Sequence, residues 1–395
     1  MDRRDVIRML AVAGGGIAID TIGVARAIAA EPGRVLVSKI ELVGSRVVMA
    51  VMIGDAGPYL FAIDTGGFLS LIDNELAKSL KLTPTGMTRA SGVGGRTTVP
   101  VYLARDIVFG GGVRQNAVAF AGVDGFGFGS DVKGMLAAGI LTTMDSDLDI
   151  EAGEWRTYPD GHPPRTGYYR IESAISDMAS GSGPGAGSRH LYGSATVGGR
   201  GLRFLLDTGA PGGLSLDRPT AQSLGLWNET QPYAPVRPRG IGGQAGIARI
   251  VRAASFTFGD SQFDRPLVML RGEGDTRPRV NGIIGLQVLR QFNLSTDVRA
   301  RALWVKRHTT ADASEERYGM SGLWIDRKGE SMTVAAVGTG SPAAAAGVKI
   351  GDRIVGEPFP AVIRKISGAP GTPVTLSVER GGIASDRTFV LKPFL

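Results

Sequence analysis

The chain has 395 residues, 43% of them hydrophobic and 21% charged, which is the composition of a globular protein able to bury a core across two or three domains. It has no Cys, so disulfides, thiolate metal sites and a Cys nucleophile are excluded, and its three His (His162, His190, His308) stand far apart in sequence. That spacing argues against a His-based zinc site or a Ser-His-Asp triad and leaves the histidines as expected surface residues; no metal or cofactor is expected. The net charge of +7 comes mainly from dispersed Arg, which fits a solvated basic surface better than nucleic-acid binding.

In chain order, residues 1–30 come first. Asp2-Arg3-Arg4-Asp5-Val6-Ile7-Arg8 precedes a Gly-rich apolar run from Met9 to Val24, and Ala27-Ile28-Ala29 follows with the small-x-small pattern of a cleavage site. This order of charged, apolar and small residues predicts a secretory signal, and Arg3-Arg4 resembles a twin-arginine signal. The expected location is periplasmic or secreted. The run is too short and weakly apolar to predict a membrane span, and no later segment reaches spanning length.

Residues 31–165 and 189–308 then read as two copies of one β-rich domain. Phe61-Ala62-Ile63-Asp64-Thr65-Gly66 has its counterpart in Phe204-Leu205-Leu206-Asp207-Thr208-Gly209, and each continues into an apolar segment ending in Asp, at Asp73 and Asp217. Both Asp are expected as N-caps of the short helices that follow, ELAKSLKL (75–82) and TAQSLGL (220–226). Gly92-Val93-Gly94-Gly95 matches Gly240-Ile241-Gly242-Gly243, DIVFG (106–110) matches SFTFG (255–259), and GMLAAGIL (134–141) matches GIIGLQVL (282–289). Asp147–Ile150 matches Asn293–Val298, and Trp155 and Trp304 lie in the strands after them. Seven paired features in one order are far harder to produce by chance than two triplets. Residues 166–188 join the copies, and Ser180–Ser188 (SGSGPGAGS) has the composition of a flexible linker.

An Asp at the end of an apolar strand is drawn toward a low-dielectric interior and needs a partner there. The Gly66 and Gly209 backbone can approach a carboxylate closely, and the Thr65 and Thr208 hydroxyls can bond neighbouring backbone. If the copies meet about a pseudo-twofold axis, Asp64 and Asp207 face each other and share a proton, because two close carboxylates do not both ionise easily. Such a pair can take a proton from a water and give one to a carbonyl oxygen.

On these motifs the stretch from about 35 to 307 resembles the retropepsin-like aspartic proteases, with two lobes fused in one chain in the manner of pepsin. The resemblance implies a mostly β fold with a cleft between the lobes, catalytic Asp64 and Asp207, supporting Thr65, Gly66, Thr208 and Gly209, and a peptide or protein substrate. By the same analogy Gly92, Val93, Gly94, Gly95, Gly240, Ile241, Gly242 and Gly243 form flaps over the cleft. Two departures stand out. Met135-Leu136-Ala137 has Ala where Ile283-Ile284-Gly285 has Gly, which predicts a looser turn around Asp64. Gly67 and Ala210 lack the hydroxyl that pepsins usually carry after the triplet, which predicts a less acidic pH optimum than a pepsin's.

Residues 309–317 read as a second linker and 318–395 as a third domain. Ser341-Pro342-Ala343-Ala344-Ala345-Ala346-Gly347-Val348-Lys349-Ile350-Gly351-Asp352-Arg353-Ile354 resembles the signature of bacterial PDZ domains. The resemblance implies a helix starting at Ser341-Pro342, a turn at Gly351-Asp352, and a carboxylate-binding loop at Gly322, Leu323, Trp324 and Ile325 that binds a protein C-terminus. The short stretch 357–361 leaves that groove expected to be incomplete. The whole reads as an exported aspartic-type endopeptidase with a PDZ domain. The alternatives are a non-catalytic peptide-binding protein of the same fold, and DTG lobes that pair between two chains.

Overall fold

A computed structural model describes residues 34–125, 131–172, 174–176, 188–240, 242–273, 280–309 and 317–395, together with the backbone of a short strand at Ile17–Ile19. The signal reading on 1–30, most of the linker 180–188, the linker residues 310–316 and Ile241 therefore lie outside the described residues. The described chain is mostly β, in sheets of 14, nine, five and two strands with only short helices between them.

The repeat seen in sequence is a repeat in space. In the first lobe, strand Ala56–Ile63 runs parallel to Val132–Leu136, with Ser70–Asp73 antiparallel on the other side of the latter. In the second lobe, Arg200–Asp207 runs parallel to Gly282–Gly285, flanked in the same way by Leu214–Leu216. Each triplet thus sits where a buried central strand ends. The Phe three residues before each Asp explains a paired glycine. A Cβ on Gly134 would lie 2.0 Å from the Phe61 ring, and one on Gly282 would lie 2.8 Å from the Phe204 ring and 2.0 Å from the Ser215 carbonyl. Phe61 and Phe204 are fully buried, so a glycine opposite each is what allows the ring to pack.

Asp73 and Asp217 cap their helices as expected. The Asp73 Oδ1 accepts from the Glu75 and Leu76 amides at 2.8 and 3.2 Å, and the Asp217 Oδ1 accepts from Thr220 at 2.8 Å.

A sheet joins the lobes. Strand Ser146–Asp149 of the first pairs antiparallel with Phe292–Asp297 of the second, with Leu148 opposite Leu294. These are the matched repeat features, so corresponding elements of the two copies meet each other, as a pseudo-twofold relation requires. Part of the stretch read as linker belongs to this sheet: Tyr169–Ile171 pairs with Ala302–Arg307.

The histidines depart from the surface expectation. The His162 side chain is buried, with its Nε2 2.8 Å from Asp147 Oδ1. Tyr158 donates to Asp147 Oδ2 at 2.6 Å. Arg165 donates to Ser295 Oγ at 2.8 Å and to the Thr296 carbonyl at 2.6 Å. The segment around His162 is a strap folded across the lobe junction. His308 also has a partner, Asn293 Oδ1 at 2.7 Å, and His190 is partly buried with Phe68 and Tyr192 beside it.

The C-terminal domain has its own core of Leu323, Ile325, Val334, Val348, Val362, Leu376 and Val378 among others. Its five strands run in the order Leu323–Lys328, Ser331–Val337, Arg353–Val355, Pro373–Arg380, Ile383–Val390. The Ser341 hydroxyl caps helix Pro342–Ala345, and buried Asp352 pairs with Arg380 at 2.7 Å. The region after residue 356 is not truncated: helix Phe359–Ile366 follows at once. Of the residues expected in a carboxylate-binding loop, Leu323, Trp324 and Ile325 belong to the edge strand and only Gly322 lies in the loop before it.

Candidate active site

The two triplets meet across the lobe interface through four reciprocal hydrogen bonds. Thr208 Oγ1 donates to the Ile63 carbonyl at 2.6 Å and accepts from the Thr65 amide at 3.1 Å. Thr65 Oγ1 donates to the Leu206 carbonyl at 2.8 Å and accepts from the Thr208 amide at 3.1 Å. Both Thr are fully buried. Each hydroxyl uses its one donor and one lone pair, and four buried backbone groups at the strand ends are satisfied that otherwise face a dry interface. The lobes pair in this way within one chain.

These bonds bring Asp64 and Asp207 together. Their side chains hydrogen-bond to each other. A Cβ on Gly66 would lie 2.3 Å from Asp207 Cγ, and one on Gly209 would lie 2.4 Å from Asp64 Oδ1. Each glycine therefore leaves room for the opposite lobe's carboxylate, which is why the third triplet position tolerates no side chain. Burial, then the charge and hydrogen bond of Asp207, push the Asp64 carboxyl well above the ordinary Asp range, while the Gly66 and Gly67 amides oppose the rise. The Ala210 amide donates to Asp207 Oδ1 at 2.8 Å.

The turn around Asp64 is not loosened by Ala137. A Cβ on Gly285 would lie 2.3 Å from the Gly212 carbonyl oxygen. The first lobe reaches its capping Asp one residue sooner, nine residues from Asp64 to Asp73 against ten from Asp207 to Asp217. The shorter loop leaves room for the Ala137 methyl, and its amide is taken by Ser70 Oγ at 3.1 Å where the Gly285 amide uses the Gly213 carbonyl at 2.6 Å.

The glycine-rich segments are hairpin tips that meet each other. Strands Pro84–Gly92 and Gly95–Phe109 form the first hairpin, Arg239–Gly240 and Gly243–Gln244 the second. A Cβ on Gly94 would lie 2.3 Å from Gly243 backbone, and Val93 lies against Gly240. Gly242 and Gly243 hold positive φ of 87° and 106°. The tips touch backbone to backbone, which only glycine permits.

Two neighbours of the dyad went unread in the sequence. Arg46 starts the strand whose Val48 pairs with Ala62, so the register puts it beside Asp64. Burial lowers its guanidinium pKa, and the fields of Asp64 and Asp207 oppose that. Burial likewise pushes the His190 imidazole below its ordinary value, and Asp207 opposes it. Arg46 is placed beside Asp64 by the hairpin register. His190 reaches the cleft only through the packing of the segment after the linker, where the Ser188 amide donates to the Phe68 carbonyl at 2.8 Å.

The same segments are the ones that match a known family. Residues 49–143 and 193–288 each match the aspartyl protease family model. One matched segment lies in each lobe. The first match contains Asp64, the second Asp207, and both end before the C-terminal domain. Among solved structures, the crystal structure of edgp covers 69% of this chain and 94% of its own at 10% identity and a TM-score of 0.37. A retropepsin-like aspartic protease from Rickettsia conorii covers 35% of this chain and 89% of its own at 23% identity and a TM-score of 0.24. A probable CtpA-like serine protease of Staphylococcus saprophyticus is 35% identical over 85 residues, which is 20% of this chain and 17% of that protein.

Proposed function

We propose that this protein is an exported aspartic endopeptidase whose Asp64–Asp207 dyad hydrolyses peptide bonds. The observation that carries the reading is the hydrogen-bonded carboxylate pair held by reciprocal Thr65 and Thr208 bonds. The pair holds one shared proton, and with that proton on Asp64 the Asp207 carboxylate is the ionised member. A water between them loses a proton to Asp207 as its oxygen attacks the scissile carbonyl carbon, and Asp64 donates its proton to the carbonyl oxygen. The tetrahedral diol then collapses: the C–N bond breaks, Asp207 returns its proton to the departing nitrogen, and Asp64 recovers one from the diol. The flaps at Gly92–Gly95 and Gly240–Gly243 cover the substrate, and their touching glycine tips part to admit it. Arg3-Arg4 and the apolar run behind them support export.

The C-terminal domain is read as PDZ-like. Its edge strand Leu323–Lys328 faces helix Phe359–Ile366 across a groove, the arrangement in which a peptide C-terminus adds as a strand. The test is cleavage of a casein-type substrate from about pH 3 to about pH 8, with Asp64→Asn and Asp207→Asn as controls. Cleavage by the wild type and its loss in both variants supports the reading. No cleavage by the wild type at any pH gives the fold to non-catalytic peptide binding.

A further inference from the structure

The groove of the C-terminal domain is not built by that domain alone. It encloses about 1300 Å³, and part of its lining comes from the second lobe, through Pro235, Val236 and Ile250. Arg239 and Gln244, the base of the second flap, line its rim. The seam is tight. Tyr233 Oη donates to the Val337 carbonyl at 2.9 Å, a Cβ on Gly338 would lie 1.9 Å from the Tyr233 carbonyl oxygen, and Arg237 pairs with Asp326 at 2.7 Å. One residue, Pro238, separates Arg237 in this seam from Arg239 in the flap.

The lining is apolar at its floor, with Leu323, Ile325, Phe359, Ile363 and Ile366, and strongly basic at its rim. Among the described residues five cations line it, Arg237 and Arg239 from the lobe, Arg317 from the end of the linker, and Arg327 and Lys328 from the domain, against the single carboxylate Asp326. Asp326 is already engaged on both oxygens, by Arg237 and by Trp324 Nε1 at 3.0 Å. The outer edge of Leu323–Lys328 pairs with no strand among the described residues.

We infer that this is a composite site for an acidic peptide segment ending in a free carboxylate, in which the protease lobe supplies part of the specificity and the flap senses occupancy. The inference rests on the PDZ-like reading of the domain. The peptide adds along Leu323–Lys328 with alternate apolar side chains on the floor, and its acidic side chains meet Arg239, Arg327 and Lys328 at the rim. Competition for Arg237 loosens its hold on Asp326, and the pull is passed through Pro238 to the Arg239–Gln244 hairpin, whose tip rests on the other flap.

The experiment uses the full chain and three fluorescent ten-residue peptides, each with an apolar last residue and a free carboxylate. One is rich in Asp and Glu, the second has Asn and Gln in their place, the third Lys. Anisotropy titrations are expected to rank acidic over neutral over Lys-rich, with acidic binding weakened at least tenfold as salt rises from about 0.05 to about 0.5 M. Arg239→Gln and Arg327→Gln, both exposed and checked for an unchanged melting temperature, each weaken the acidic peptide about threefold and leave the neutral one unmoved. Hydrogen exchange of the amides in 239–246 changes on adding the acidic peptide. If no peptide binds, the PDZ-like reading falls and this inference with it. If peptides bind without charge preference, or Arg239→Gln has no effect, the composite site alone is overturned. If binding leaves flap exchange unchanged, the coupling is overturned. Exchange needs no turnover, so a failed protease reading does not disturb the result.

Discussion

The two lobes solve one problem with different local means. Both must end a buried strand in a carboxylate and close a turn behind it. The second lobe does so with a ten-residue path to its capping Asp and pins Gly285 beneath the Gly212 carbonyl. The first has a shorter path, seats Ala137, and replaces one backbone bond with the Ser70 hydroxyl. The lesson is that a motif departure has to be read together with the loop it faces. Ala137 looks degenerate beside Gly285 only while the missing residue goes unnoticed.

The largest expected effect is on the feature the lobes share without variation. Thr208→Val leaves the Thr65 amide and Ile63 carbonyl buried and unpaired, and Thr65→Val does the same to the Thr208 amide and Leu206 carbonyl. Each is expected to lose about 2–4 kcal/mol of stability by urea denaturation. Equal losses uphold the symmetry; a loss in one lobe alone breaks it. Next come the swapped turn residues. Gly285→Ala forces a methyl onto the Gly212 carbonyl and costs about 1–3 kcal/mol, while Ala137→Gly costs only about 0.5–1 kcal/mol, chiefly through backbone entropy. Similar costs for the two changes would refute the loop-length explanation.

The junction between the lobes gives a pH test. Burial alone would raise the Asp147 carboxyl, but hydrogen bonds from His162, Ser295 and Tyr158 overcome it and hold the group below its ordinary range. A depressed carboxylate adds stability above its unfolded pKa and loses it as pH falls through the folded value. Asp147→Asn is therefore expected to lower the melting temperature near pH 7 and to remove part of the wild type's decline below about pH 4. An unchanged acid decline would contradict it.

The smallest effect has the opposite sign. Asp64 is raised, so the folded state holds a proton that the unfolded chain releases, and stability falls as pH climbs from the ordinary Asp range toward the folded value. Asp207→Asn removes the repulsion and is expected to raise the melting temperature near pH 7 by a few degrees, about 1 kcal/mol. A lowered melting temperature would show that the pair is not strained by its charge.

Much of this architecture was legible because it is local and repeated. The triplets, the capping Asp73 and Asp217, the glycine hairpins and the Ser341-Pro342 helix start each announce themselves within a few residues. The features that escaped depend on distant chain. His162 was expected at the surface because its partner, Asp147, lies on a strand 15 positions back. Arg46 required the hairpin register, and the basic rim shared by Arg237, Arg239 and Arg327 required two domains to be docked. Composition records none of these contacts.

The central claim is that Asp64 and Asp207 act as one unit supplied half by each lobe. It is tested most directly by comparing cleavage by Asp64→Asn, Asp207→Asn and the double variant under identical conditions. Each single change is expected to lower kcat/KM by at least about a thousandfold and the double variant to be no worse than either, because a shared-proton dyad is lost with its first member. A single variant that keeps substantial activity, or losses that multiply in the double variant, would contradict it.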